Sequence, residues 1–240
     1  DLEKPDYSKN LEQGLVAYYP FNGNANDESG NGHDGKMLDG GTFLQDRFGI
    51  RTSALSLDND DFQTELTGLE PYGPTLSQNM FVSFWTTKDL GVPETGILAQ
   101  YVDPPQNNTF YITKNGDANM VSGNGYDSFS FQSSEAVMSG WQHWGYLFSS
   151  GEGNCKVYLN GKLYDSFSLS LNDKVVSTPF YIGMVNNRKP KNSTGSLDDM
   201  RIYNRAFNES EVAALYELES KPPFDPDNGL IAYYPFNGNA

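Results

Sequence analysis

The sequence predicts an all-β protein, a sandwich of antiparallel strands, and three observations carry that expectation. Short runs rich in aromatic and β-branched residues are separated along most of the chain by clusters of Gly, Asn and Asp. Only one short stretch has helical spacing, so no alternation of strand and helix develops. A twelve-residue motif also occurs twice: Gly14-Leu15-Val16-Ala17-Tyr18-Tyr19-Pro20-Phe21-Asn22-Gly23-Asn24-Ala25, and again from Gly229 to Ala240 with Ile231 in place of Val16. Tyr18 and Tyr233 stand 215 positions apart, a period that fits one large sandwich and far exceeds a solenoid turn. The expected organisation is a linker over 1–13, one module over 14–220, a Pro-rich linker over 221–228, and the truncated first strand of a next repeat over 229–240. Tandem modules suit a surface protein that displays binding units. The second copy is expected to stay extended or to pair with the sheet edge of a neighbouring molecule.

Composition narrows the class. With 24 Gly, 15 Tyr and 15 Phe the chain has enough aromatic area for a substantial core. A formal charge of −15 disfavours nucleic acid and anionic lipid, and clustered carboxylates are candidate calcium ligands. Cys155 stands alone, so it forms no internal disulfide and reads as a small buried hydrophobe on a strand. No apolar run reaches membrane-span length, so no membrane insertion is expected.

The elements follow in order. Leu15 to Phe21 is the first strand, and Pro20 places it at a sheet edge or at the strand's end. The loop 22–35 is polar, and Gly23, Gly30, Gly32 and Gly35 allow sharp turns in it. A hairpin is expected over Phe43 to Leu57. Met80 to Thr87 is the clearest strand, with Val82, Phe84 and Thr86 on one face and Phe81, Ser83 and Trp85 on the other. Gly96 to Tyr101, Phe110 to Lys114 and Ser128 to Gln132 are further strands, with loops at 102–109 and 115–127. In the strand 140–148, Trp144, Tyr146 and Phe148 share a face. Lys156 to Leu159 and Lys162 to Asp165 form a hairpin through a type I′ Asn160-Gly161 turn. Pro179 to Val185 and Ser196 to Tyr203 complete some twelve to fourteen strands. Asn208, with Glu211 as its capping-box partner, starts a short helix whose apolar stripe is Val212, Leu215 and Tyr216.

Four segments also resemble a known family: the opening run from Gly14 to Gly32, Trp141-x-His143, the Val157 to Lys162 hairpin, and Leu197 to Phe207 before the helix. They are similar to bacterial LamG-like (laminin G-like) modules of the concanavalin A-like lectin/glucanase superfamily. The resemblance spans 14–218. It implies a jelly roll of two curved antiparallel sheets, often with a structural calcium and a carbohydrate-binding concave face or rim. Trp144 and Tyr146 stand where such modules usually carry smaller aliphatic residues.

Calcium needs six to eight oxygen ligands, and the loop 22–35 offers carboxylates, amides and flexible carbonyls. Asp27 is the expected side-chain ligand, with Asn24 and His33 supplying backbone oxygen; the resemblance adds Asp198 by docking this loop against the Leu197-Asp198-Asp199 strand. The alternative is a loop held by Asn and Asp turn hydrogen bonds. His33, His143 and Cys155 do not make a zinc set, and His143 reads as a satisfied structural histidine. Glu65 and Glu70 have the wrong spacing for a retaining carboxylate pair, and Asp58, Asp60 and Asp61 form a charged turn, so no enzyme is expected. Sugar stacking requires exposed aromatic rings beside planar polar groups. The candidates are Tyr72, Tyr101 and Tyr126, with Asn186 and Arg188 in the basic run 186–192; Trp85, Trp141 and Trp144 belong to the core pattern. The expected protein is a non-catalytic glycan- or polysaccharide-binding module, acidic glycans included, of a secreted or cell-surface bacterial adhesin or polysaccharide-degrading protein. Neighbouring repeats of the same chain are its other expected partners. The competing expectation is a spacer or protein-binding repeat; a glycoside hydrolase or lyase ranks third.

Overall fold

Strands whose every second side chain is apolar bury that face against another such sheet. A computed structural model describes residues 11–222 apart from 39, 58–63, 74–77, 88–94, 101–109, 116–117, 123–127, 133–139, 151–153, 170, 172–177 and 184–194. Its strands are β1 (Leu15–Tyr19), β2 (Gly35–Met37), β3 (Phe43–Leu44), β4 (Ala54–Ser56), β5 (Thr64–Leu66), β6 (Met80–Thr87), β7 (Thr95–Gln100) and β8 (Phe110–Asn115). They continue with β9 (Ala118–Ser122), β10 (Ser128–Gln132), β11 (Trp141–Ser149), β12 (Asn154–Leu159), β13 (Lys162–Ser168), β14 (Phe180–Ile182) and β15 (Ser196–Tyr203), followed by helix α1 (Glu209–Glu219). The first sheet runs β13-β12-β11-β6-β15-β4-β3, with β1 against β15; the second runs β10-β9-β8-β7-β14-β5-β2.

The long central strands set the register. β6 pairs with β11 from Thr87 opposite Trp141 to Met80 opposite Phe148 without a slip. Val82 and Phe84 therefore face the second sheet together with Tyr146 and Phe148, as the alternation predicts. Phe84 stacks on Tyr146 at 5.8 Å, and Phe148 meets Phe110 of the second sheet edge-on at 5.1 Å. Trp144 is buried in the same layer beside Tyr146 and Tyr164. Each buried aromatic contributes roughly 1.5–3 kcal/mol. Cys155 is buried here with its thiol pushed up by desolvation, which matches the small-hydrophobe expectation.

The first sheet also carries apolar residues on its outer face, and α1 covers them. Phe81, Leu147, Tyr158 and Tyr203 pack with Phe207, Val212 and Leu215. The capping box is formed in full: Asn208 Oδ1 accepts from Glu211 N–H, and Glu211 Oε2 accepts from Asn208 N–H. Asn160 and Gly161 both have positive φ, as the type I′ turn requires. A Cβ at Gly161 would lie 2.9 Å from Tyr216, so only glycine lets the hairpin tip approach the helix.

Three strands were not expected from the sequence. β9 lies inside the expected loop 115–127 and pairs with β8 and β10. β5 takes in Glu65 and Leu66, and β2 starts at the last residue of the polar loop. All three are short, and β5 and β9 each have hydrogen-bonded neighbours on both sides. Pairing, not intrinsic pattern, makes them strands.

Candidate functional site

The strand β1 and the loop after it form one hydrogen-bonded unit. β15 pairs with β1 on one side, Tyr18 opposite Arg201 and Tyr19 opposite Met200. The loop returns along the other edge. Tyr18 N–H donates to Asp27 Oδ1 at 2.9 Å, Glu28 N–H donates to Tyr18 O at 2.8 Å, and Asn31 Nδ2 donates to Leu15 O and Val16 O, each at 3.0 Å. Asp27 Oδ1 also accepts from Ser29 N–H, and Oδ2 from His33 N–H. Burial pushes the Asp27 carboxyl up, but these N–H donors from Tyr18, His33 and Ser29 outweigh it and hold it below the ordinary carboxylate range. His33 O accepts from Tyr19 Oη at 2.6 Å, and Asn24 Oδ1 caps Asn26 N–H.

Asp198 belongs to a different network. It lies on the outer face of the first sheet, opposite Trp85, where Arg47 Nη1 is bonded to its Oδ2. Arg47 Nη2 reaches Asp199 Oδ2 at 2.6 Å and the Glu219 carbonyl at 2.6 Å, tying the end of α1 to β15. The Tyr18 hydroxyl donates to Asp199, and the Arg201 guanidinium sits 3.6 Å over the Tyr18 ring. Arg201 Nε also meets Glu219 Oε1 at 2.6 Å, while Trp85 Nε1 donates to Glu219 Oε2 at 2.9 Å. Burial raises the carboxyls of Asp198 and Glu219 above the ordinary range, Arg47 and Arg201 opposing it. These groups form the inner wall of a cleft of about 430 Å³ whose lips include Phe48, Ile50 and Leu218.

The residues expected to share calcium are thus divided. Asp27 answers three backbone N–H groups and Asp198 answers a guanidinium, a donor set that does not fit one cation bridging the two. Among the described residues no group of three or more His, Cys, Asp and Glu is arranged to hold a metal ion.

His143 departs from its expected role. It is fully buried between Trp85 and Tyr216, at ring distances of 5.3 and 5.8 Å, yet neither ring nitrogen has a hydrogen-bond partner among the described residues. Its Nε2 lies 3.5 Å from Glu219 Oε2. Burial, with Arg47 and Arg201 nearby, lowers its pKa to about 3. The histidine is structural but not satisfied.

Tyr72 is the one described member of the expected sugar-contacting set; Tyr101, Tyr126, Asn186 and Arg188 lie outside the described residues. Tyr72 closes the short 3-10 helix Glu70–Tyr72 and is half-buried, with the His33 ring edge-on at 6.1 Å. A Cβ on Gly68 would sit 2.5 Å from His33 Nδ1, so glycine is needed to let that ring in. Tyr72 opens onto a second cleft of about 320 Å³, lined also by Pro71, Gln78, Asn79 and Asn204. Among the described residues this lining has no charged group. The amides carry no signal in sequence, because Gln78 and Asn79 precede β6, Asn204 follows β15, and only the pairing of Tyr203 with Phe81 brings them together.

Two face-to-face antiparallel sheets around an apolar core define the class of a jelly-roll sandwich. The chain belongs to the Concanavalin A-like lectin/glucanases superfamily, whose family model matches residues 69–213. Comparison with curated proteins finds no match. Similar solved structures include the binding domain of Botulinum neurotoxin serotype D, at TM-score 0.68 and 18% identity, with 88% of this chain and 52% of that one covered. The binding domain of Paraclostridial Mosquitocidal Protein 1 gives 0.70 and 19%, with coverage of 87% and 53%. The binding domain of Botulinum Neurotoxin DC in complex with SialylT gives 0.65 and 14%, with coverage of 87% and 52%. The chain spans about half the length of each, and at these identities the likeness shows the fold.

Proposed function

We propose that the chain is a non-catalytic glycan-recognition module of a secreted or cell-surface bacterial protein, an adhesin or a polysaccharide-degrading protein, and that it binds at the Tyr72 cleft. One observation carries this reading: a cleft of about 320 Å³ sets an aromatic ring and Pro71 beside the amides of Gln78, Asn79 and Asn204. Amides offer a donor and an acceptor to vicinal hydroxyls, and a ring offers a flat apolar surface to a pyranose face. The volume lies in the range of small-ligand sites. Superfamily membership and the likeness to toxin binding domains support the same class. A described lining without charge, in a protein of formal charge −15, favours neutral over acidic sugars.

A glycan array tests the reading, with Tyr72→Ala and Gln78→Ala compared against the unaltered chain. Neutral glycans are expected to bind, Tyr72→Ala weakening them about tenfold, equivalent to about 1.4 kcal/mol. Silence across neutral and acidic glycans would sink the proposal. The same array is run with calcium and with a chelator. Equal signals are expected, since Asp27 and Asp198 answer other partners; calcium-dependent binding would return the ion to the site.

A spacer or protein-binding repeat is the competing reading, favoured by the larger cleft, where arginines and carboxylates pair with one another. Among the described residues, its raised carboxyls Asp198 and Glu219 are also where hydrolase or lyase chemistry would be sought. Both are ion-paired with arginine, and hydrolysis or elimination of the array-positive glycan is the assay that would establish it.

A further inference from the structure

Two of the three amides in the Tyr72 cleft are oriented by the protein itself. Asn79 Oδ1 accepts from Ser150 N–H at 2.8 Å, and Asn204 Oδ1 lies against Gly14, where an added Cβ would be 2.9 Å from it. Neither Ser150 nor Gly14 belongs to the described lining of the cleft. An amide carries its oxygen and its NH2 group at opposite corners, so both asparagines keep Nδ2 for the cleft. Tyr203 pairs with Phe81, which puts Asn79 and Asn204 within two residues of that pair at the same end of the sheet.

Two converging N–H donors call for an acceptor with two lone pairs, a carbonyl or a carboxylate oxygen. A protein of formal charge −15 repels the carboxylate, and no cation among the described lining residues offsets that charge. Beside the donors stand exposed Pro71 and half-buried Tyr72, an apolar surface suited to a methyl group, and exposed Gln78, whose amide can turn its oxygen to a ligand N–H. We infer that the cleft takes the acetamido group of an N-acetylated sugar, with its carbonyl oxygen on Asn79 Nδ2 and Asn204 Nδ2, its N–H on Gln78 Oε1 and its methyl against Pro71 and Tyr72. This assignment rests on the Tyr72 cleft being the glycan site.

A plain hexose carries a hydroxyl where the acetamido group stands. It leaves an amide donor and the Pro71 surface unmatched, so the acetamido sugar gains about one hydrogen bond and one buried methyl, together about tenfold in affinity. The site is also held ready before a ligand arrives. Ser150 N–H fixes Asn79, and the His33 ring stands edge-on to Tyr72 at 6.1 Å.

The test uses the full chain and pairs of glycans that differ only by acetamido against hydroxyl, chitotriose against cellotriose among them, measured by isothermal titration. The acetamido member should bind about tenfold tighter. Asn79→Asp keeps an oxygen for Ser150 N–H but puts an acceptor where the NH2 donor was. It should cut the preference to about threefold or less while Tm stays within about 2 °C of the unaltered chain. Asn204→Asp removes the other donor and should cut the preference likewise. A preference unchanged in both variants would overturn the assignment. So would equal affinity for both members of every pair, which leaves the cleft a neutral-sugar site, or tighter binding of glycans bearing glucuronic acid. If Tyr72→Ala weakens neither member of any pair, the glycan binds elsewhere and the cleft itself is wrong.

Discussion

The two faces of the first sheet hold the protein together in different ways. Between the sheets the packing is apolar and aromatic: Phe84 on Tyr146, Phe148 on Phe110, Phe110 on Phe180. Beneath α1 the face changes character along its length. One end is apolar, around Phe81 and Phe207; the other holds Arg47, Asp198, Arg201, Glu219 and His143, all largely buried. The inner face is non-directional and tolerates exchange of similar volumes. The charged end is directional, and removal of one member leaves its partner buried without a counter-charge. Arg47, between β3 and β4, reaches β15 and the carbonyl end of α1 at once, so that end sets where the helix stops on the sheet.

Substitutions can break this contrast. Phe148→Ala should cost the most, about 4 kcal/mol and a fall in Tm of about 10 °C, because it opens a cavity between the sheets. Chemical denaturation measures it, and a loss under about 1 kcal/mol would mean that the core collapses into the gap. Arg47→Ala should cost about 3 kcal/mol by stranding Asp198 beside Asp199, and adding Asp198→Asn should restore part of that. If the second change instead adds its own loss, Arg47 acts through packing on Trp85 and Phe48, not through charge.

The smallest effect is the most specific. His143 titrates near 6.5 when unfolded and at about 3 when folded. A depressed histidine contributes stability that is complete above the unfolded value and is lost as pH falls toward the folded one, since only the unfolded chain takes the proton. His143→Phe removes that loss. Its stability relative to the unaltered chain should therefore change little at pH 7 and rise by up to about 1.4 kcal/mol per pH unit below 6.5. Asp198 is common to both proteins, and because Glu219 Oε2 lies 3.5 Å from His143 Nε2 the comparison is repeated with Glu219→Gln in both. A pH-independent difference would show that His143 does not titrate as its burial dictates.

Periodicity made the inner face legible. The alternation in 80–87 and in 144–148 names the residues found between the sheets, and Asn208 with Glu211 names the helix start, because both signals are local. β9 and β5 were illegible because their strand state comes from neighbours on either side. The candidate sites were read unevenly. Tyr72 stands out as a loop aromatic, but its amides come from two separate places, 78–79 and 204, and the Arg47 that meets Asp198 lies 151 positions away in sequence.

By itself the sequence determined a two-sheet sandwich with an aromatic core, one capped helix and a first strand whose motif occurs twice in the sequence. Strand alternation, caps and tight turns are written within a few residues of one another, so they need no knowledge of the fold. Only the tertiary structure decided which carboxylate meets an arginine and which meets backbone N–H, that His143 is buried without a hydrogen-bond partner among the described residues, and that Tyr72 shares a cleft with amides. Those outcomes depend on which strand ends and loops converge in space, and no short-range pattern encodes that convergence.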